Sequence, residues 1–260
     1  MKYKLRPSGS SRWLACPASL VLEDAVEVEK RDDQVAAYLG SATHELLEMC
    51  LKQGKKPAEF RGEEIEVFDE EGMNFPYLKA VDDSMIETVE YFLETVGDSI
   101  AGSEVFSELQ MEHSEVPELR GTADYVCINE EHALLADLKN GKGIVQAINR
   151  KGEVNTQLLS YACLIFDKFP QVETITLAIV QPNGKTKKKV RSTGVNREMA
   201  RIHLDKVKSA AKIAEEATEE TLEVIAVEGS HCYWCKARSI CPTRGKEELN
   251  KDFGGDNKEQ

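Results

Sequence analysis

The chain has 260 residues and a formal net charge of −13, which excludes a protein that holds nucleic acid by surface charge alone, because neutralising phosphates requires an excess of lysine and arginine. Hydrophobic residues make up 41% of the chain, enough for the core of one large domain, or of a domain with a small appendage. No apolar run approaches the roughly 20 residues that cross a bilayer, and no apolar stretch follows the basic start of the chain, so we expect a cytoplasmic protein without a signal peptide.

The first part of the chain is predicted to be helical after an irregular start. An apolar stripe behind Asp33, a good helix N-cap, predicts a helix that ends near Gly54. Residues 55–75 are acidic and indicate a loop or insertion, and residues 77–97 indicate a second helix.

The second part mixes strands and helices. The predicted elements are strands over residues 104–113, 122–129, 132–138 and 173–181 and a helix over residues 154–168. Asn183-Gly184 predicts a tight hairpin into a basic strand over residues 186–192, and a long helix is predicted from about Asn196. This order predicts an α/β fold in which a mixed central sheet is flanked by helices.

Asp137 and Lys139 are the first candidates for chemistry. They follow an apolar strand segment, Ala133–Ala136, and residues two apart in a strand point to the same face. A carboxylate can hold a hard divalent metal, and a neighbouring ammonium can orient water or stabilise developing charge in phosphodiester hydrolysis. On its own the Asp-x-Lys pattern is very common and more often describes the charged end of a surface strand.

Three further signals are each weak when taken alone. Asp124 lies in the strand before Asp137, and a hairpin between them can bring two carboxylates together, which is costly without a cation. His44 lies at the edge of the first helix's apolar stripe, where a lone histidine is more often a structural residue than a metal ligand. Gln157 and Tyr161 share one helix face, either as contacts to a DNA backbone or as ordinary polar positions of an amphipathic helix.

In chain order, Gly-x-x-x-His, Gly-x-x-Asp, Asp-x-Lys and Gln-x-x-x-Tyr resemble the motif series of RecB-like PD-(D/E)XK nucleases. The resemblance implies a restriction-endonuclease-like core and a Mg²⁺ or Mn²⁺ cofactor. The site residues that it implies are the metal ligands His44, Asp124 and Asp137, of which both aspartates are also catalytic, together with Lys139 as the catalytic lysine and Gln157 and Tyr161 on the DNA side. Glu108 is an additional acidic candidate on the preceding strand. The sequence departs from the pattern in having Asp137 rather than Glu and no proline before Asp124.

Three cysteines form the pattern Cys232-x2-Cys235-x5-Cys241. Thiolates at this spacing suit zinc or an iron–sulphur cluster, and Cys16 is the candidate fourth ligand. One early cysteine and three late ones resemble the iron–sulphur staple of AddB-type and CRISPR-associated RecB-like nucleases, and in particular a phage-encoded group. The resemblance implies a 4Fe–4S cluster held by these four cysteines, with a structural zinc knuckle as the alternative.

The resemblance implies a metal-dependent DNA exonuclease that hydrolyses phosphodiester bonds from DNA ends, in phage recombination, replication or repair within a bacterial host cell. The alternatives are an endonuclease of the same superfamily and a non-catalytic iron–sulphur or zinc protein that binds DNA or a recombination partner. DNA is the expected partner, as single strands or duplex ends, and a phage single-strand-binding or recombination protein is a further candidate. No membrane partner is expected.

The chain is predicted to have four regions. They are an N-terminal segment with one cluster cysteine over residues 1–30, the nuclease core over 31–225, the cysteine segment over 226–245 and a disordered tail over 246–260. A basic run, Lys185–Arg191, is expected to contact phosphates.

Overall fold

The computed structural model describes residues 3–26, 34–67, 77–97 and 102–243. The helices are α1 (Ser10–Trp13), α2 (Ala18–Asp24), α3 (Gln34–Gln53), α4 (Asp83–Gly97), α5 (Thr156–Lys168), α6 (Arg197–Glu215) and α7 (Glu219–Ile225). The strands are β1 (Glu64–Val67), β2 (Tyr77–Ala80), β3 (Glu104–Glu112), β4 (Arg120–Asn129), β5 (His132–Leu138), β6 (Thr174–Val180) and β7 (Val190–Asn196). Short 3₁₀ turns follow α7 in the cysteine segment.

A five-stranded sheet in the order β3-β4-β5-β6-β7 forms the centre of the fold. β5 and β6 are parallel, and the other neighbouring pairs are antiparallel. Parallel strands need a crossover connection, which α5 provides between β5 and β6. The predicted fold class, a mixed sheet flanked by helices, is confirmed.

Both faces of this sheet are buried. Leu135 and Leu177 pack with Leu158 of α5 in the core on one face, while Leu138 and Val89 of α4 belong to the core on the other face. A strand covered on both sides needs apolar residues in successive positions, which explains the nearly continuous apolar sequence of β5 and β6.

The prediction of one helix over residues 77–97 was wrong at its start, and the prediction of a loop or insertion over residues 55–75 missed a short strand. β1 pairs antiparallel with β2, with Ile65 and Val67 turned into the core, and the helix begins only at Asp83. Asp82 Oδ1 accepts a hydrogen bond from Met85 N at 3.0 Å, which caps the helix at this point. Residues 68–76 lie outside the described residues.

The basic strand also starts later than predicted. β7 begins at Val190, and residues 181–189 form a loop in which Gln181 N donates to Lys189 O at 2.9 Å. Arg191 is 5% exposed and donates to Lys188 O and to the side chain of Gln181. Its guanidinium therefore supports the loop from inside, whereas Lys187 and Lys188 are exposed.

The two ends of the described chain pack on each other. Cys16, Ala18 and Leu22 form a small apolar cluster with Cys235 and Ala237. Beside the cluster, Lys236 N donates to the carboxylate of Glu23 at 2.8 Å. The predicted tail, residues 246–260, lies outside the described residues. Within the described ranges, none of the helices combines the length and apolarity needed to cross a bilayer.

Candidate metal centre

The candidate centre lies where the pairing of β4 with β5 ends. The last paired positions of these strands are Tyr125 and Ala136, so the next residues, Asp124 and Asp137, are neighbours across the two strands. Leu138 N donates to Asp124 Oδ2 at 2.7 Å, which ties the first carboxylate to the second strand. The hairpin thus brings together the two aspartates that are thirteen positions apart in the sequence.

His44 reaches the same point from α3. Its Nδ1 lies 3.1 Å from Asp124 Oδ1, and His44, Glu108 and Asp124 each offer a ligand atom within 4.8 Å of the others. Carboxylate oxygens with one imidazole nitrogen suit a divalent cation such as Mn²⁺ or Mg²⁺. In the part of the chain that the structure describes, no other group of three histidine, cysteine, aspartate or glutamate side chains meets this distance.

Glu108 is held in the group by an unusual backbone conformation. The β3–β4 ladder pairs Ser107 with Tyr125 and Leu109 with Ala123 but is interrupted between them, where Glu108 faces Asp124. Its φ is 46°, in the left-handed region that costs a non-glycine residue about 1–3 kcal/mol. The left-handed backbone thus occurs at Glu108, whose carboxylate lies beside His44 and Asp124.

The charges of the centre are unbalanced in the way that a cation would relieve. Burial, together with the neighbouring Asp124 carboxylate, raises the pKa of Glu108 to about 7. Burial likewise raises the pKa of Asp137 to about 6, although Lys139 opposes the shift. Burial alone would lower the pKa of His44, but the surrounding carboxylates raise it to about 9. Burial would raise the pKa of Asp124, but His44 and Lys139 lower it. Carboxylates gathered in a buried site are like charges that a bound cation stabilises.

Lys139 and Gln157 both contact Asp137. Lys139 Nζ lies 2.9 Å from Asp137 Oδ2, and Gln157 Nε2 donates to Asp137 Oδ1 at 2.8 Å. Burial would lower the pKa of Lys139, but Asp137 and Asp124 raise it, so the side chain remains an ammonium. Lys139 therefore places a positive charge beside the carboxylates, and it is not a neutral amine that could act as a base.

Tyr161, one turn after Gln157, has a different contact. Its hydroxyl donates to Thr122 O at 2.7 Å, and the ring is 7% exposed. Burial raises the pKa of this phenol, so it stays protonated. The side chain holds β4 against α5 two residues before Asp124.

Asn140 is a residue of this region that the sequence motifs did not indicate. Its Nδ2 donates to Thr43 Oγ1 at 3.1 Å, and its Oδ1 accepts from Asn183 Nδ2 at 2.7 Å. It therefore joins the residue after Lys139 to the residue before His44. An amide of this kind has no spacing signature, and its position directly after the Asp-x-Lys motif was the one available signal.

The cysteines lie in one region but not in the arrangement of a formed metal site. Cys16 and Cys235 are buried in the same apolar cluster, and Cys241 packs against it. Cys232, Cys235 and Cys241 line a small pocket. Among the described residues, however, no three cysteine sulphurs lie within 4.8 Å of one another, and Cys16 Sγ accepts a hydrogen bond from Val227 N at 3.4 Å.

The fold is similar to two solved structures described as exonucleases. One is a candidate exonuclease from Eubacterium rectale, at 13% identity, with 84% of this chain and 84% of that chain covered and a TM-score of 0.46. The other is an alkaline exonuclease from Laribacter hongkongensis, at 11% identity, with 57% of this chain and 75% of that chain covered and a TM-score of 0.33. Residues 3–259 match the model of a family described as "Protein of unknown function (DUF2800)", and because this match spans nearly the whole sequence, the chain belongs to the DUF2800 family.

Proposed function

We propose that this protein is a metal-dependent deoxyribonuclease that hydrolyses phosphodiester bonds from DNA ends. The observation that supports the proposal is the convergence of five side chains where the pairing of β4 with β5 ends. They are Asp124, Asp137, Lys139, His44 and Glu108. Carboxylates around a divalent cation, with an ammonium alongside, are the groups that phosphodiester hydrolysis needs. Phage recombination, replication or repair is the setting that we propose for this activity.

The proposed roles follow from the contacts. His44, Glu108, Asp124 and Asp137 would hold Mg²⁺ or Mn²⁺, which supplies polarisation of the phosphate and a lowered pKa of the attacking water. Lys139 keeps its proton beside Asp137 and would orient that water or stabilise charge on the phosphate. Hydrogen bonding by Gln157 fixes the orientation of the Asp137 carboxylate, as groups behind a metal ligand commonly do.

Metal dependence and the role of Asp137 are tested together. End-labelled linear DNA is incubated with protein purified without oxygen, with Mn²⁺, with Mg²⁺ and with EDTA. We expect cleavage with either metal, none with EDTA, and none with Asp137→Ala, while Asp205→Ala on the exposed face of α6 cleaves as the wild type does. Full metal-dependent cleavage by Asp137→Ala would refute the assignment of Asp137 as a catalytic residue, whereas no cleavage by the wild type with either metal would leave a non-catalytic, DNA-binding protein as the better description.

The need for a DNA end is tested on matched substrates. The sequence contains no recognisable helix-turn-helix or zinc-finger module for reading bases, which favours contacts to the backbone over cutting at defined sequences. Linear single strands, linear duplexes and covalently closed circles of one sequence are compared. Progressive shortening of linear DNA with circles spared is the expected result, whereas efficient cutting of closed circles would favour the endonuclease alternative.

We also propose that Cys16, Cys232, Cys235 and Cys241 hold a 4Fe–4S cluster. The proposal is supported by the common apolar cluster of Cys16 and Cys235, with Cys241 beside it, and by the pocket that the three late cysteines line. Protein purified without oxygen should be brown and contain iron and sulphide in equal amounts. Cys16→Ser should lose the colour, and Cys50→Ala, which changes a buried cysteine in another core, should keep it. A colourless protein with one zinc ion would favour the zinc knuckle.

A further inference from the structure

A basic groove lies beside the candidate metal centre. It has a volume of about 590 Å³ and runs between the N-terminal segment and the ends of β3 and β4. Its polar and charged lining includes Lys4, Arg6, Ser8, Gln110, Arg120 and Thr122. The metal centre itself does not use any of these side chains.

The groove lies close to the metal centre. Thr122 lines the groove and lies two positions before Asp124 in β4, so the two side chains share a face and are roughly 7 Å apart along the strand. The α5 helix connects the same two places, because Tyr161 lines the groove while Gln157, one turn earlier, contacts Asp137. A molecule lying in the groove would therefore be close to the carboxylates, although they do not line the groove themselves.

The outer wall of the groove is a fixed part of the fold. Leu5 is fully buried, and its N donates to Glu118 O at 2.9 Å. Pro7 packs so closely on Gly121 that a Cβ at this glycine would lie 2.8 Å from the proline ring. The wall is therefore held by the fold itself, and a rigid wall lowers the cost of binding a ligand.

The charge of the groove is opposite to that of the whole protein. Lys4, Arg6 and Arg120 line it together with one acid, Glu112, although the chain as a whole carries −13. The Arg120 guanidinium lies 3.8 Å from Glu112, and both side chains are largely exposed, a weak pairing that a phosphate can replace. This local excess of positive charge fits a polyanion.

We propose that this groove holds the phosphate backbone of one nucleic-acid strand next to the metal centre, so that the substrate enters as a single strand. The volume is that of a small-ligand pocket, roughly 300–1,000 Å³. A few nucleotides of one strand fill such a space, so the proposal commits to a single strand, and duplex binding is the alternative that the test distinguishes. This inference rests on the proposed nuclease function and adds the substrate form and the place where it binds.

Binding is measured without cleavage, by fluorescence anisotropy of the full chain in EDTA. The probes are a labelled single-stranded oligothymidylate and a blunt hairpin duplex of the same length, each titrated at several salt concentrations. Lys4→Ala/Arg120→Ala is compared with Lys206→Ala, which removes one exposed lysine of α6. Both groove residues are exposed, and unchanged thermal unfolding of the double variant shows that its fold is intact.

Wild type and Lys206→Ala should bind the single strand at least about tenfold more tightly than the duplex. The double variant Lys4→Ala/Arg120→Ala should lose most of the affinity for the single strand. Two lost phosphate contacts should reduce the slope of log K against log salt by about 1.4 in magnitude, at about 0.7 for each contact on a single strand. Arg120→Lys should retain the slope. An unchanged slope in the double variant, or equal binding of duplex and single strand, would overturn the inference. Groove-dependent binding by a protein that cleaves nothing would instead count against the nuclease function alone.

Discussion

The side-chain amide of Gln157 in α5 donates a hydrogen bond of 2.8 Å to Asp137 Oδ1 at the end of β5. The other carboxylate oxygen lies 2.9 Å from Lys139 Nζ. The orientation of Asp137 is therefore set by one neutral donor and one cation, and a helix that crosses the sheet provides the neutral donor.

Gln157→Leu should weaken the metal centre without unfolding the protein. Loss of the donor frees the Asp137 carboxylate to turn, and removal of such a supporting hydrogen bond typically costs about 10–100-fold in metal affinity or activity. The readout is the Mn²⁺ concentration that gives half-maximal cleavage, which a purely structural role would leave unchanged. Gln171→Leu, an exposed position after α5, is the control, and equal Mn²⁺ requirements for both variants would contradict the assigned role.

Glu108→Gly should stabilise the metal-free protein while weakening its metal binding. Glycine adopts a positive φ without the cost that a glutamate has at 46°, and removal of the carboxylate relieves its repulsion with Asp124. We expect a gain of about 1 kcal/mol in the free energy of unfolding and a lower affinity for Mn²⁺ by calorimetry. Glu112→Gln, an exposed change on the same strand, should alter neither quantity. If Glu108→Gly binds Mn²⁺ as the wild type does, Glu108 is not a ligand.

Asn140→Ala should disconnect α3 from the end of β5. The substitution removes the hydrogen bonds to Thr43 and Asn183, each worth about 0.5–1.5 kcal/mol, so denaturant unfolding should show a loss of about 1–3 kcal/mol. Because Thr43 precedes His44, Mn²⁺ affinity should fall as well. Asn129→Ala, at the far and exposed end of β4, provides the comparison, and a loss of stability with unchanged Mn²⁺ affinity would limit Asn140 to a structural role.

His203 should make the protein less stable in mild acid. Its Nε2 lies 2.9 Å from Ser160 Oγ; because that hydroxyl donates to Thr156 O, the neutral imidazole donates to the serine. Burial, with a smaller contribution from Lys206, lowers the pKa of His203 to about 4. Between about pH 6.5 and about pH 4 the unfolded chain binds a proton that the folded chain does not, so stability falls as the pH falls through this window.

The pH effect is measured as the difference between wild type and His203→Gln in denaturant unfolding. From about pH 7.5 to about pH 4.5 the wild type should lose about 2–3 kcal/mol more than the variant. His132→Gln, on the exposed side of β5, should retain the wild-type dependence. Parallel curves for wild type and His203→Gln would show that the buried histidine does not control this loss.

The sequence predicted the central elements well because their patterns are local. The apolar runs that became β5 and β6 and the N-cap of α6 at Asn196 needed no knowledge of distant contacts. β2 was mistaken for the start of a helix because its four residues become a strand only through pairing with β1. β7 likewise begins later than predicted, because residues 181–189 form a loop. The buried Arg191 supports this loop by hydrogen bonds to Lys188 O and to the Gln181 side chain.

The candidate site was predictable to the extent that it follows strand geometry. Asp137 and Lys139 contact one another as their two-residue spacing indicates, and Asp124 lies beside Asp137 because the hairpin register places it there. Glu108 was a candidate from its place on the preceding strand, but its left-handed backbone was not predicted. The contribution of Asn140 depends on contacts between α3 and β5. Such contacts leave no periodic pattern, and neither did the basic groove, whose walls come from two separated parts of the chain.

The cluster that joins Cys16 to the cysteine segment has a consequence for synthesis of the chain. The hydrogen bond from Val227 N to Cys16 Sγ joins residues that are 211 positions apart in the sequence. A ribosome adds about 5–20 residues per second, so Val227 is synthesised roughly 10–40 s after Cys16. For that interval the N-terminal segment has left the ribosome without its partner. Its apolar side chains Leu22 and Ala18 then stay in water, which makes the newborn chain a candidate for chaperone binding until the last cysteines emerge.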